Sequence, residues 1–190
     1  SIWVGLRPLV KPQDDDGGNT KSISREHTVL ASRSGLVTVT GGKWTTYRAM
    51  AEDVLKKCFE TGALESKAAG VTNQLPLVGT PTEAVRHRIS DAPGMHSYGA
   101  DAPQVAGLPG ASTALGGGLT EAMVRFAARF EYARTVEDVL ARRSRMLFLD
   151  ARLALEVAPA VAKILREELG GDPQLPAFLA LAPQYLRPEM

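Results

Sequence analysis

The chain has 190 residues, 44% of them hydrophobic, and a formal net charge of +1, which suits one ordinary domain, or a small domain with part of another, and gives no support for nucleic-acid binding. One cysteine, Cys58, excludes an internal disulfide framework and a cysteine-rich zinc site; it reads as a small apolar helix residue, compatible with a reducing setting. No apolar run reaches the roughly 18 residues that a membrane-spanning helix needs, and Ser1 to Arg7 lacks the basic start and apolar middle of a signal peptide.

The chain opens without an initiator methionine, in what reads as the strand Ile2-Trp3-Val4, as expected of a piece of a longer polypeptide. Arg7-Pro8 ends that strand, because proline removes a ladder donor and restricts the residue before it. Gln13 to Thr20, with Asp14-Asp15-Asp16-Gly17-Gly18, reads as a solvated acidic loop; its spacing is not that of a calcium site. His27 to Ala31 and Leu36 to Val39 read as two strands joined by a hairpin turn at Ser32-Arg33-Ser34-Gly35. From Thr45 to about Glu60, Met50, Val54, Leu55 and Phe59 recur at helical spacing, and Gly62 is the expected stop.

Residues 61–118 are rich in Gly, Pro, Ser and Asn and read as a linker with short helices. Pro81 to Ile89 forms one such helix, with Thr80 as cap and proline in the first turn, and Asp101 to Val105 opens another. Gly116-Gly117-Gly118 reads as flexible chain. From residue 119 to 190 the pattern is helical throughout. Leu119, Met123, Phe126 and Phe130 fall on one face, and Thr135 with Asp138 makes a cap-like start. Asp150 caps Ala151 to Val157, and Pro159 starts a further helix that stops at Gly170-Gly171. Leu175 to Ala182 adds a last one. Leu147-Phe148-Leu149 belongs to the bundle core.

Chemistry concentrates at Gly41-Gly42-Lys43-Trp44-Thr45-Thr46, where a strand passes through a glycine turn into a helix start. Backbone N–H groups, an ammonium and two hydroxyls meet there, which suits an electron-rich ligand. A lysine at a helix start opposes the helix dipole, so an anionic ligand explains Lys43 better than stability does. Arg7 and Arg25 flank strand ends; with Lys43 they could hold a phosphate or carboxylate, or they are ordinary surface cations. His27, His87 and His96 are too scattered to nominate a metal site. Arg142, Arg143 and Arg145 read as a solvated, partly ion-paired face, or else as a patch meeting another domain, an acidic partner or a lipid headgroup. No Gly-x-Gly-x-x-Gly follows a strand, and neither a Walker loop nor a nucleophile elbow occurs.

Gly5-Leu6-Arg7-Pro8-Leu9, Ser24-Arg25-Glu26-His27-Thr28 and Gly41-Gly42-Lys43-Trp44-Thr45-Thr46-Tyr47-Arg48 resemble, in order and approximate spacing, segments of the FAD-dependent (respiratory, aerobic) glycerol-3-phosphate dehydrogenases. Glu131 to Arg143 and Leu147 to Ala151 are similar to that family's carboxy-terminal helical domain. The resemblance implies oxidation of sn-glycerol 3-phosphate at carbon 2 to dihydroxyacetone phosphate, with hydride passing to flavin N5 and electrons to a quinone. It places Gly41, Gly42, Lys43, Trp44, Thr45 and Thr46 against FAD and makes Arg7, Arg25 and Lys43 the substrate-binding cations, with no metal.

It also implies an α+β, mostly α, architecture: residues 1–60 as the incomplete end of an FAD-binding and substrate domain, then the linker, then the all-helical domain. The family's larger amino-terminal part, with its pyrophosphate loop, is missing, so this chain is not expected to retain FAD or turn over alone. Peripheral membrane contact and a homodimer are open under the resemblance. The expected location is cytoplasmic, at the inner face of a bacterial membrane, because the EF-hand extension typical of mitochondrial relatives is not visible. Two alternatives are an oxidase that passes electrons to oxygen, and a helical interaction module that contacts a partner protein or membrane without flavin.

Overall fold

The computed structural model describes residues 1–6, 26–67, 70–81 and 93–186. Its contacts fall into two units, Gly5–Leu75 and Ser1–Val4 with Pro76–Met190. The expected acidic loop, His87, and the helix expected over Pro81 to Ile89 (Pro81 apart) lie outside the described residues.

In the smaller unit, alternating Val and Thr build the expected hairpin. Strand β1 (His27–Ala31) pairs antiparallel with β2 (Val37–Gly41), placing His27 opposite Gly41 and Val29 opposite Val39. The connecting turn closes through Ser32 N–H to the Leu36 carbonyl, 2.9 Å, and Gly35 N–H to the Ser32 carbonyl, 3.1 Å. A single 3-10 turn, Trp44–Thr46, precedes helix α1 (Tyr47–Glu60), so the α-helix starts two residues later than the spacing predicts. Gly62, at φ +72°, follows its end as expected. No described residue of this unit is fully buried.

The larger unit holds the core. A 3-10 segment, Met95–Asp101, runs into α2 (Ala102–Ala106). Strands β3 (Ala114–Gly116) and β4 (Leu119–Thr120) form a second small hairpin. The glycine run expected as flexible chain is thus its tight turn: a Cβ on Gly118 would lie 1.8 Å from the Pro93 carbonyl oxygen, so only bare backbone fits. Leu119, expected on a helix face, is buried from β4. Thr120 then caps α3 (Glu121–Phe130), its Oγ1 accepting the Met123 N–H at 3.4 Å.

Thr135 and Asp138 cap each other reciprocally: Thr135 Oγ1 accepts the Asp138 N–H at 3.1 Å, and Asp138 Oδ2 accepts the Thr135 N–H at 3.0 Å. The turn they start is π-helical, Asp138–Arg143, followed by α4 (Met146–Leu149). Arg142 pairs with Glu137 at 2.6 Å and Asp138 at 3.1 Å, and Arg143 donates to the Glu131 carbonyl. Leu147 is buried, but Leu149 is exposed, because one turn of helix cannot turn three consecutive residues to the same side.

Asp150 Oδ1 accepts the N–H groups of Arg152 and Leu153, both at 3.1 Å, at the head of α5 (Ala151–Leu169). This helix runs unbroken through Pro159, where the sequence predicts a new start. Proline costs about 3 kcal/mol inside a helix, but Pro159 lies on the exposed side. Val157, Val161, Ile164 and Leu165 around it are buried, and each is worth about 1.5–3 kcal/mol. Gly170, left-handed at φ +69°, closes the helix through its N–H to the Arg166 carbonyl at 2.8 Å. Helix α6 (Leu175–Leu181) and a 3-10 turn, Ala182–Tyr185, complete the unit.

The expected strand at Ile2 to Val4 has no strand partner among the described residues. Instead Ser1–Val4 straps onto this unit. Ser1 Oγ donates to the Leu147 carbonyl at 2.7 Å and accepts the Ala151 N–H at 2.9 Å, and Ile2 N–H donates to the Tyr185 carbonyl at 3.0 Å. Trp3 packs edge-on to Phe148 at 5.7 Å.

Charges tie α3 to α5. Arg125 donates to Glu168 at 2.6 Å, Glu167 at 2.7 Å and Glu121 at 2.5 Å, while Arg129 Nε reaches Glu168 at 2.6 Å. The hydrogen bonds from Arg129 and then Arg125 outweigh burial and hold the Glu168 carboxyl at about 2. A carboxyl lowered on folding stabilises fully above its unfolded value, near 4.5, and loses that contribution as pH falls through its folded value. Glu168→Gln should therefore destabilise the larger unit by about 1–3 kcal/mol at neutral pH. The gap to wild type, measured by urea unfolding, should narrow as pH is lowered from 5 toward 2, as that stabilisation is lost.

Candidate functional site

Strand β2 ends at Gly41, φ +78°, and the next residue, Gly42, is also left-handed at φ +79°. Gly42 N–H donates to the Glu26 carbonyl at 3.2 Å, closing the bend just beyond the His27–Gly41 pair. A Cβ on Gly42 would lie 2.6 Å from Met50 Sδ and 3.1 Å from His27 Cβ. Helix α1 and strand β1 both press on that bare backbone.

Lys43 leaves the bend in extended conformation and is exposed. Among the described residues no carboxylate pairs with its ammonium. Its carbonyl accepts both the N–H and the hydroxyl of Thr46, each at 3.0 Å, so the Thr46 side chain is turned onto the chain. The amides of Trp44 and Thr45, at the head of the 3-10 turn, have no intrahelical acceptor. Trp44 is 84% exposed and stacks on Tyr47, with ring centroids 5.3 Å apart and planes 25° from parallel.

Gly41, Gly42, Lys43, Trp44, Thr45 and Thr46 thus share one bend, half-buried at the glycines and exposed from Lys43 onward, while Arg7 and Arg25 lie outside the described residues. Arg48 is committed elsewhere, donating to Glu52 at 2.8 Å and Thr72 Oγ1 at 3.1 Å. The Thr72 hydroxyl, followed by Arg48, holds the Glu52 carboxyl below its usual range despite partial desolvation.

Sequence reasoning did not find the pair behind the turn: His27 Nε2 lies 2.7 Å from Asp53 Oδ2. Its signal was an acidic residue three positions after Met50, on the side of α1 that meets the hairpin.

Residues 38–175, from β2 to the start of α6, match the family model described as the C-terminal domain of alpha-glycerophosphate oxidase. The chain belongs to this family. The match includes the glycine turn and most of the helical unit, and leaves out the segments Gly5 to Leu9 and Ser24 to Thr28.

Among curated relatives, a mitochondrial glycerol-3-phosphate dehydrogenase of Arabidopsis thaliana is 36% identical over 88% of this chain and 31% of its own length. A probable mitochondrial glycerol-3-phosphate dehydrogenase of Caenorhabditis elegans is 38% identical over 90% of this chain and 26% of its own length. The human mitochondrial glycerol-3-phosphate dehydrogenase is 35% identical, also over 90% and 26%. This member of the alpha-glycerophosphate oxidase C-terminal family therefore spans less than a third of the length of these three relatives. No solved structure matches the chain. Among the described residues, no helix is long and apolar enough to cross a membrane.

Two glycines give a controlled test of the bend. Gly35→Ala, at φ +86° with nothing within 4 Å, meets only backbone strain, about 1–2 kcal/mol. Gly42→Ala adds collisions with Met50 and His27 and should destabilise the hairpin by about 1 kcal/mol more, read as a lower urea midpoint for its amide signals.

Proposed function

We propose that this chain is the carboxy-terminal portion of an FAD-dependent glycerol-3-phosphate dehydrogenase, which oxidises sn-glycerol 3-phosphate to dihydroxyacetone phosphate. The observation that carries the reading is the Gly41–Thr46 edge: two left-handed glycines lead to an ammonium that has no carboxylate partner among the described residues, beside an exposed aromatic pair. The curated relatives named as glycerol-3-phosphate dehydrogenases support it. In this reading residues 1–60 complete an FAD and substrate domain, 61–118 connect, and 119–190 form the helical domain.

The residues present fit one side of a flavin. The bend at Gly41 and Gly42 leads into the exposed run Lys43 to Thr46; the amides of Trp44 and Thr45, which have no acceptor among the described residues, suit a flavin's electron-rich edge, and Trp44 offers a stacking face. No Gly-x-Gly-x-x-Gly unit is present to hold the pyrophosphate, so this chain contributes to FAD binding without retaining the cofactor alone. When bound, the flavin supplies the acceptor for the hydride leaving carbon 2. Lys43, with Arg7 and Arg25, binds the phosphate or steadies the oxygen that becomes the ketone.

Quinone as final acceptor, peripheral contact with the inner face of a bacterial membrane, and pairing of two copies belong to the same reading. Oxygen is the alternative acceptor, favoured by the oxidase in the family's description. Oxygen consumption measured against reduction of a soluble quinone separates the two.

In the full-length protein, Lys43→Ala should raise KM for glycerol 3-phosphate, or slow flavin reduction, by about 10- to 100-fold, the worth of one charge-assisted hydrogen bond. Unaltered turnover would point to the flavin-free interaction module instead. Purified alone, the 190-residue chain should emerge colourless from gel filtration; stoichiometric yellow flavin would refute its dependence on a longer polypeptide.

A further inference from the structure

Polar contacts hold the Gly41–Thr46 edge from three directions. Gly42 N–H reaches the Glu26 carbonyl, and Thr46 folds back on the Lys43 carbonyl. Both are local. The third spans the unit: His27 opens β1, Asp53 sits midway along α1, and their side chains meet at 2.7 Å. An ionised carboxylate only accepts, so His27 Nε2–H is the donor. No side-chain cap fixes the head of α1 at Thr46. Packing around Gly42 and this directional bond therefore both bear on the direction of the turn relative to the helix.

The geometry concentrates the two. His27 Cβ lies 3.1 Å from where a Gly42 Cβ would stand, and Met50, one helical turn before Asp53, closes the other side at 2.6 Å. The same histidine thus carries the bond to α1 and forms one wall of the bend. Its side chain is 22% exposed and that of Asp53 53% exposed. A pair so open adds little to global stability, about 0–1 kcal/mol, so its value should lie in local geometry.

We propose that His27 and Asp53 are a positioning pair: their hydrogen bond clamps the start of β1 to the middle of α1 and so sets how the Gly41–Lys43 bend presents its amides and the Lys43 ammonium. Neither residue touches cofactor or substrate; both act through Gly42. The consequence for flavin and substrate rests on the function proposed above, whereas the clamp itself does not.

The test uses His27→Ala, Asp53→Ala, the double variant and His27→Gln, which keeps an N–H donor. In the 190-residue chain, amide exchange at Gly42, whose N–H donates to the Glu26 carbonyl, should accelerate about three- to tenfold in each alanine variant. The double variant should be no faster than either single, as coupled partners require. His27→Gln should recover most of the protection, with exchange in α3 and α5 unmoved throughout.

In the full-length holoenzyme the same variants should raise KM for glycerol 3-phosphate and weaken flavin retention by a similar factor, again without additivity. Wild-type exchange already unprotected at Gly42, unchanged exchange in the variants, or additive effects would overturn the clamp. Faster exchange with KM and flavin retention unaltered would overturn its positioning role. A full-length wild type that carries no flavin would refute the function proposed above, and the exchange data would still decide the clamp.

Discussion

Small side chains where α3 meets α5 are the constraint on which the helical unit depends. Ala122 and Ala128 on one helix, and Ala154, Ala158 and Ala162 on the other, are all essentially buried. Alanine loses no rotamer entropy and lets helix backbones approach closely, so larger neighbours such as Phe126, Val157 and Leu165 interdigitate around the seam. Arg125 and Arg129 close the polar end of that seam on Glu168, whose side chain is only 8% exposed. Val105, Leu140, Leu147 and Phe178 then join the same core from four other elements.

The hairpin unit is built on a different principle. Among the described residues its order comes from ladder bonds, the glycine bend and side-chain contacts such as His27–Asp53 and Arg48–Thr72 rather than from fully buried side chains. A two-stranded sheet with a single helix buries too little to be independently robust. Leu30, Leu36, Val39, Trp44 and Leu55 all stay exposed. Gly41 and Gly42 are half-buried, Gly42 under Met50 and His27, while Lys43 to Thr46 beyond them are exposed.

Much of this was legible because local chemistry decides it. Turn residues at Ser32 to Gly35 need no partner to form a hairpin, and Thr135 with Asp138, or Asp150 before Ala151, satisfy helix-start amides from within a few residues. Gly170 stops α5 because it alone takes a left-handed conformation cheaply. Gly41-Gly42-Lys43 announced a bend beside a cation for the same reason. The misread positions share a different feature: Pro159, Gly116 to Gly118, Leu119 and Ile2 to Val4 take their conformation from what packs on them. His27 and Asp53 are 26 positions apart, beyond the range of any local pattern.

The first hairpin, the approximate limits of α1 and of several later helices, and a glycine bend beside a lysine follow from the amino-acid order alone, since propensity and capping act within one turn. Only the folded chain decided that α5 continues past a proline, that three glycines form a tight corner under Pro93, and that a histidine and an aspartate meet behind Gly42. Each of those outcomes depends on burial or on contact between distant segments, and such energies exist only once the segments are brought together.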